Sequence, residues 1–239
     1  MEQVALITGA SRGLGAELAG FLAKQGYDLV LTARGAEALE TAARSLRKYG
    51  SQVIAIPGDV SEPKHRACLA AAAGSLGRLD LLINNASNLG LSPLLPLADY
   101  PTDTIEEVMK VNLLAPLGLV QSTLSLLKSS TGMVINISSD AAVGGYPGWG
   151  AYGASKAALD VMTLTLANEL RDDGVAVVSV DPGDMRTQMH QDAFPGEDIS
   201  DRPLPKATLP FWAWLLGQPP MLVTGHRYHA QSDLWEVAA

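Results

Sequence analysis

The sequence of 239 residues contains few cysteines and few basic residues. Its one cysteine, Cys68, excludes an internal disulfide and is interpreted as a small buried apolar residue. Basic residues are also few: 17 Lys and Arg against 25 Asp and Glu give a net charge of −8, which repels the phosphates of nucleic acids. We therefore expect neither a disulfide nor a nucleic-acid partner.

Long apolar runs are missing as well. The most apolar late stretch, 209–217, is too short to cross a bilayer and is interpreted as a lid or a subunit-interface helix. The first predicted strand begins at about Gln3, which leaves no room for a signal peptide. With 47% apolar and 18% charged residues the chain can build a large core, and we expect a soluble, cytoplasmic protein without membrane contact.

Short β-branched runs alternate with longer helical patterns along the chain. The predicted strands are 4–8, 28–33, 52–57, 79–84, 133–137, 175–180 and 222–228. Continuous apolar strands separated by helices predict one α/β domain over residues 1–239, with a doubly wound parallel sheet covered on both faces. Two long irregular connections, 86–102 and 181–206, are expected to be functional, and a substrate loop or lid is expected at about 184–217.

Three residues near the middle of the chain form its strongest chemical pattern. A predicted strand is followed by Ser139, and thirteen residues later a helix opens with Tyr152 and, four positions on, Lys156. Positions four apart lie on one helix face, so the phenol and the ammonium project the same way. The cation is expected to lower the pKa of the phenol, which suits a general acid or base, while Ser139 holds a substrate oxygen against it.

A glycine-rich turn, TGASRGLG, joins the first strand to the first helix. Its glycines let the backbone approach a pyrophosphate whose charge the helix N-terminus stabilises; a turn without a ligand is the alternative. The second strand leads into Arg34 with no acid, and Arg12 lies inside the glycine turn. Two guanidiniums that can bind one phosphate favour NADP over NAD. The alternative is that Arg34 lies in solvent at the start of the next helix and binds no phosphate.

The glycine turn, Ser139, Tyr152 and Lys156, in this order, resemble the short-chain dehydrogenase/reductase family in its single-domain branch. The resemblance runs from about Gln3 to Thr187. It implies a Rossmann-type sheet of about seven strands in the order 3-2-1-4-5-6-7. It also implies hydride transfer between a nicotinamide and an alcohol or carbonyl.

The resemblance assigns roles residue by residue. The catalytic positions are Asn112, Ser139, Tyr152 and Lys156. The cofactor-binding positions are Gly9, Ser11, Arg12, Gly13, Leu14, Gly15, Arg34, Asp59, Val60, Asn85, Tyr152, Lys156, Pro182, Gly183 and Thr187. We expect an NADPH-dependent oxidoreductase that reduces a fairly apolar ketone or aldehyde, or runs the reverse reaction, as a homodimer or homotetramer. The alternative is an NADP-binding regulatory or scaffold protein without turnover.

Three departures from the family pattern stand out. Ser87 replaces the glycine usual after the Asn-Asn-Ala of the fourth strand, and Asp181 replaces the asparagine usual before Pro-Gly. Neither is expected to touch the chemistry directly. The chain ends in TGHRYHAQSDLWEVAA instead of a strand followed by Asp-Gly-Gly, a segment that in the family often builds a tetramer interface, so the oligomer geometry stays open.

Asn112 lies inside a long predicted helix over 103–129. Pro116, four residues on, lacks the N–H that would bond to the Asn112 carbonyl. The free carbonyl is predicted to hold a water that relays protons between Lys156 and solvent. A helix merely kinked by Pro116 is the alternative.

The remaining candidates are weaker. His226 and His229 are three apart, so in a strand they face opposite sides, and with no third ligand cluster we expect no metal. Four residues in two loops are expected either to line an apolar substrate pocket or to serve ordinary packing. They are Tyr146, Trp149, Met185 and Met189.

Overall fold

A computed structural model describes residues 2–237. Seven parallel strands form one sheet in the order β3-β2-β1-β4-β5-β6-β7, which confirms the order implied by the family resemblance. The strands are β1 Val4–Thr8, β2 Asp28–Ala33, β3 Val53–Pro57, β4 Leu81–Asn84, β5 Met133–Ile137, β6 Ala176–Asp181 and β7 Arg227–His229. Residues on β1, β5 and β6 are buried throughout, as their continuous apolar sequences require when both sheet faces are covered.

Helices fill the connections between the strands. They are α1 Gly13–Lys24, α2 Ala36–Arg47, α3 Pro63–Ser75, α4 Thr102–Met109, α5 Ala115–Ser130, α6 Ala141–Gly144, α7 Gly150–Glu169, α8 Gln188–Ala193, α9 Leu209–Leu216 and α10 Pro220–Val223. Two apolar clusters sandwich the sheet. One contains Leu18 and Leu22 of α1, and the other contains Leu119 and Leu127 of α5. The expected doubly wound, two-faced architecture is confirmed.

The end of the chain differs from the prediction. The last strand was expected over 222–228, but Pro220–Val223 form α10 and only Arg227–His229 pair with β6. Prolines at 219 and 220 favour the start of a helix, and Gly225 turns the chain with a φ of +82° before the strand begins. The short strand therefore starts five residues later than its apolar sequence suggested.

The apolar stretch 209–217 contains the helix α9, and one face of this helix packs in the core. Phe211, Trp212 and Leu215 of α9 are fully buried in the cluster that also holds α1. The indole N–H of Trp212 donates to Thr208 Oγ1 at 2.9 Å, which satisfies the one polar atom of that side chain.

Cys68 is exposed, so its interpretation as a buried residue is wrong. It lies on α3, where Leu69 and Ala73 are the residues that face the core. The helix period places Cys68 on the outer side of that stripe.

The long predicted helix is interrupted at Asn112. A π-helical turn, Lys110–Leu114, separates α4 from α5, and the Ala115 N–H bonds to the Lys110 carbonyl. Such turns insert one extra residue and are frequent at functional sites. Within residues 2–237, the helical stretch Thr102–Ser130 is long and apolar enough to cross a membrane by length and composition, but core helices pass the same test, and α5 packs on β4 and β5.

Candidate active site

A cleft of about 1290 Å³ opens at the carboxyl edge of the sheet. Loops that follow parallel strands meet at this edge, so residues distant in sequence converge there. The predicted site residues that line it are Gly9, Ser11, Arg12, Gly13, Leu14, Arg34, Asp59, Val60, Asn85, Ser139, Tyr152, Lys156, Pro182, Gly183 and Thr187. Gly15 and Asn112 lie behind the lining and are buried.

The glycine turn after β1 needs its glycines for two physical reasons. Gly9 has a φ of +66°, which disfavours other residues, and a Cβ on Gly15 would lie 2.4 Å from the Gly9 carbonyl oxygen. Asn85 Nδ2 donates to the Thr8 carbonyl at 2.8 Å and fixes the turn against the end of β4. No side chain caps α1, so its first N–H groups are free to meet an anion in the cleft.

Positive charge lies at the same end of the cleft. Arg12 and Arg34 are both exposed and line it, and the first turn of α1 carries no acid. Burial alone would raise the pKa of Asp59, but hydrogen bonds from Ser61 and the nearby charge of Arg34 hold it below its usual value. A glycine cradle, an uncapped helix N-terminus and two guanidiniums together fit a phosphorylated dinucleotide.

Ser139, Tyr152 and Lys156 meet at the other end of the cleft. Ser139 follows β5, and its Oγ accepts from the Ala141 N–H at 3.1 Å, which fixes the side chain at the start of α6. Lys156 is one turn after Tyr152 on α7, and its Nζ lies 5.5 Å from the centre of the tyrosine ring. The same Nζ donates to the Ile137 carbonyl at 2.7 Å.

Burial controls the pKa values of this pair. Burial raises the pKa of Tyr152 to about 12, although the Ser87 and Ser139 hydroxyls lie close enough to lower it in part. Burial also lowers the pKa of Lys156 to about 8, against the opposing charge of Asp160. Desolvation therefore outweighs any lowering of the phenol pKa by the cation, which the sequence led us to expect.

Asn112 sits on the π-helical turn with all four side-chain hydrogen-bonding positions used. Its Oδ1 accepts from the Asn88 N–H at 2.7 Å and from Ser87 Oγ at 3.1 Å. Its Nδ2 donates to the Asn88 carbonyl and to Ser155 Oγ, both at 2.9 Å. Ser87 also lines the cleft.

The C-terminal segment reaches the site, which the sequence did not indicate. Gln231 Nε2 donates to the Pro182 and Asp184 carbonyls at 2.9 and 2.8 Å, and so holds the loop after β6. The buried Asp181 accepts from the Gly183 N–H and from Arg227. Asp181 also lines the cleft.

Aromatic and thioether side chains surround the space in front of Tyr152. Trp149 meets the tyrosine ring edge-on at 5.6 Å between ring centres, and Phe194 lies 6.1 Å from Trp149. Tyr146, Met185 and Met189 also line the cleft. Among residues 2–237, no group of three or more His, Cys, Asp or Glu side chains is arranged to hold a metal ion.

A family model described as short chain dehydrogenase matches residues 3–198. The chain belongs to the short-chain dehydrogenase/reductase family. It is 33% identical over 235 residues to the uncharacterized oxidoreductase YciK of Escherichia coli K12, covering 96% of this chain and 92% of the relative. This membership confirms the resemblance on which the site was assigned and makes the protein an oxidoreductase of that family.

Solved structures with bound nucleotides are also similar. A short-chain dehydrogenase from Shigella flexneri 2a, complexed with NADP, has a TM-score of 0.89 and 32% identity, covering 96% of this chain and 97% of that one. An NAD⁺-bound xylitol dehydrogenase has a TM-score of 0.83 and 27% identity, covering 95% and 96% of the two chains. Structures similar to this chain therefore hold either nucleotide.

Proposed function

We propose that this oxidoreductase uses NADPH to reduce the carbonyl of a small, fairly apolar ketone or aldehyde. The observation that carries the proposal is the single cleft that joins Ser139, Tyr152 and Lys156 to a glycine turn flanked by Arg12 and Arg34. One end of this cleft offers a proton donor and the other an anion site. The reverse reaction, alcohol oxidation, uses the same groups.

The glycine turn and the N-terminus of α1 would hold the pyrophosphate, and Arg12 and Arg34 a 2′-phosphate. No acid stands at the end of β2 or directly after it to bind a free ribose hydroxyl pair, which supports NADP over NAD. Asp59 and Val60 would contact the adenine, and Lys156 the nicotinamide ribose. When bound, NADPH supplies the hydride.

Tyr152 is the proposed general acid, which gives its proton to the substrate oxygen while the Ser139 hydroxyl orients that oxygen. Burial raises the pKa of Tyr152 to about 12, so the phenol is protonated at neutral pH and ready to donate. Lys156, whose pKa is about 8, is largely charged at pH 7 and stabilises the phenolate that remains. Asn112 is the fourth proposed catalytic residue. It lies on the π-helical turn Lys110–Leu114, where we propose that a relay water is held.

The space in front of Tyr152 suits an apolar substrate, because Trp149, Met185, Met189 and Phe194 form its walls. The loop from Asp184 to the start of α9 would act as the lid. It contains the short helix α8, whose first turn is capped by Thr187. Substrate identity is set by this loop and by the aromatic wall.

We propose a homo-oligomer located in the cytoplasm. Val161 and Leu164 on α7 are 67% and 52% exposed, which is unusual for large apolar side chains on one helix. Replacing Val161 with Glu would dissociate an oligomer built on this face, and light scattering after size-exclusion chromatography would detect it. An unchanged molar mass would show that this face of α7 is not part of an interface.

The direct test of function is NADPH consumption with a panel of ketones and aldehydes. We expect steady turnover with at least one of them, and Tyr152→Phe should lower it by at least about 10²-fold, the lower limit for a general acid. NADPH affinity should be unchanged in Tyr152→Phe, since the nucleotide keeps its other contacts. Tyr49→Phe, which alters a tyrosine outside the cleft, is the matched control.

Two outcomes would contradict the proposal. Near-normal turnover of Tyr152→Phe, under conditions where chemistry limits the rate, would require another proton donor. Tight NADPH binding with no consumption on the whole panel would favour the alternative of an NADP-binding protein without turnover.

A further inference from the structure

His190 is a buried histidine in the lining of the cleft that the proposed reaction does not use. It lies on α8, where its backbone N–H donates to Thr187 Oγ1 at 3.3 Å, and only 9% of the residue is exposed. Its Nε2 is closed to water and has no hydrogen-bond partner among residues 2–237. A buried nitrogen without a partner costs free energy, which indicates that a bound molecule supplies the missing partner.

A row of aromatic rings connects His190 to the proposed general acid. The ring centre of His190 lies 4.9 Å from that of Phe194, and the Phe194 ring lies 6.1 Å from Trp149. Trp149 in turn meets Tyr152 at 5.6 Å. All four residues line the cleft. A substrate with its carbonyl oxygen at Tyr152 would therefore lay an apolar body along Trp149 and Phe194 and bring its far end toward His190.

Asp184 determines which nitrogen of the His190 ring carries the proton. Its Oδ1 lies 3.8 Å from His190 Nδ1, too far for a hydrogen bond but close enough for its charge to act. A carboxylate attracts an N–H and repels a lone pair, so the neutral imidazole keeps its proton on Nδ1. Nε2 is then an acceptor, and the partner that it lacks is a hydrogen-bond donor.

The charges near the ends of β5 and β6 favour a neutral donor. The charged residues that line the cleft there are Asp140, Asp181, Asp184, Lys156 and Arg186. Asp181 lies 3.3 Å from Arg227, and Asp184 lies 3.5 Å from Arg202, so an added cation would find both of these carboxylates occupied. A carboxylate at Nε2 would meet the lone pair of that nitrogen and the charge of Asp184 beyond it. A hydroxyl meets neither penalty.

We propose that His190 determines specificity: the substrate is a ketone or aldehyde with an apolar body and a hydroxyl at its far end, and this hydroxyl donates to His190 Nε2. The proposal rests on the function proposed above and narrows its substrate class. Because Nε2 is closed to water in the structure, α8 moves to admit the hydroxyl and closes over it. The proton from Tyr152 and the hydride follow the same course as before.

The kinetic test compares matched ketones. Benzylacetone has an apolar ring, and each of its three ring-hydroxylated isomers adds one donor. We expect kcat/KM for at least one isomer to exceed that of benzylacetone by at least about tenfold, since the parent leaves a buried nitrogen unpaired. His190→Leu should bring this ratio close to one. His190→Gln should keep part of it, because an amide oxygen can accept the same hydrogen bond.

A structural role for His190 gives a different result. If the residue only shapes the lid, His190→Leu lowers kcat/KM for all these ketones alike and leaves the ratio unchanged, which would overturn the proposal. His226→Leu, at a histidine outside the cleft, is the matched control and should leave both the rates and the ratio unchanged. An equal gain from a ring methoxy group, which only accepts, or a His190-dependent preference for a ring carboxylate would also overturn it.

Nitrogen NMR supplies a readout that needs no turnover. The chain is labelled with ¹⁵N-histidine and loaded with NADP⁺, which cannot deliver a hydride to a ketone, and His190→Leu identifies the His190 signals. We expect a proton on Nδ1, and an Nε2 signal that moves with a hydroxylated isomer but not with benzylacetone. An Nε2 signal that no isomer moves contradicts the proposal. A signal that moves with NADP⁺ alone would assign Nε2 to the nucleotide and overturn it too.

The two proposals fail separately. If no ketone or aldehyde is reduced but the Nε2 signal moves with a hydroxylated isomer, the proposed function fails and the hydroxyl site at His190 stands. If ketones are reduced through Tyr152 while hydroxylated and parent compounds react equally and the Nε2 signal stays in place, the function stands and the role of His190 is wrong.

Discussion

Arg227 on the last strand donates from Nη2 to the backbone carbonyl of Ser139 at 2.8 Å. The same guanidinium donates through Nε to Asp160 at 3.0 Å, on the helix that carries Tyr152 and Lys156. Its third partner is the buried Asp181 at 3.3 Å. One side chain from the atypical C-terminal segment thus fixes the backbone of Ser139 relative to α7.

We predict that Arg227→Ala lowers the turnover number by about tenfold, since a charge-assisted bond to the Ser139 turn is lost. Arg227→Lys should recover little of it, because an ammonium carries its donors on one nitrogen, whereas the planar guanidinium spreads them over Nε and Nη2 to reach separate acceptors. NADPH dissociation constants should stay the same. Arg171→Ala, an exposed arginine after the end of α7, is the control. A fall in nucleotide affinity with unchanged turnover would contradict a positioning role.

Nucleotide preference gives the second prediction. Arg12 and Arg34 should make NADPH bind more tightly than NADH by about 1–3 kcal/mol, the range for charge-assisted hydrogen bonds. Arg34→Asp should reverse the order, because it removes the phosphate partner and adds a ribose-binding acid. Titration calorimetry measures both constants, with Arg44→Asp, on α2 and outside the cleft, as the control. Equal affinities in the unsubstituted protein would refute this prediction.

Lys156 should make stability depend on pH in a defined window. Burial lowers its pKa from 10.5 to about 8, so between these values the unfolded chain binds more protons than the folded one and stability rises with pH. Removing the buried charge in Lys156→Met should therefore stabilise the protein at pH 7 by up to about 3 kcal/mol, less the lost bond to the Ile137 carbonyl.

This gain should shrink as the pH rises from 8 to 10.5, because the lysine of the unsubstituted protein is then neutral in both states. Urea unfolding at several pH values measures the difference. Lys64→Met, at an exposed position on α3, should show no such trend. A stability difference that is constant with pH would contradict the burial effect.

Pro116 is the subject of the fourth prediction. Pro116→Ala supplies the missing N–H near the start of α5 and lets the π-helical turn relax toward an ordinary helix, so the melting temperature should stay the same or rise. Turnover should fall, because the relay we propose at Asn112 would be lost. Pro63→Ala, at the first position of α3, tests the general effect of losing a helix proline. Unchanged turnover would leave Pro116 with a packing role only.

The parts of the fold that sequence reasoning predicted well are those set by local patterns. β1, β2 and β5 begin and end where their apolar runs do, and the glycine turn stands at the strand–helix junction where its spacing indicated. These features depend on residues a few positions apart. Backbone conformation and periodicity are enough to predict them.

The parts that sequence reasoning missed depend on contacts between distant segments. Nothing local shows that Arg227 meets Ser139, 88 positions away, or that Ser87 meets Asn112, 25 positions away. The burial of α9 was missed for the same reason, since its apolar sequence suits a core helix and an interface helix equally. The burial of Cys68 was predicted from its residue type alone. Its position on α3 relative to the buried residues Leu69 and Ala73 decides its exposure instead.

The exposed position of Cys68 has a practical consequence. The chain holds one thiol in 239 residues, and it faces solvent on α3, outside the residues that line the cleft. A maleimide dye or spin label would therefore attach at a single known position without any engineered cysteine. The native protein is ready for fluorescence anisotropy or electron paramagnetic resonance, with one reporter per polypeptide.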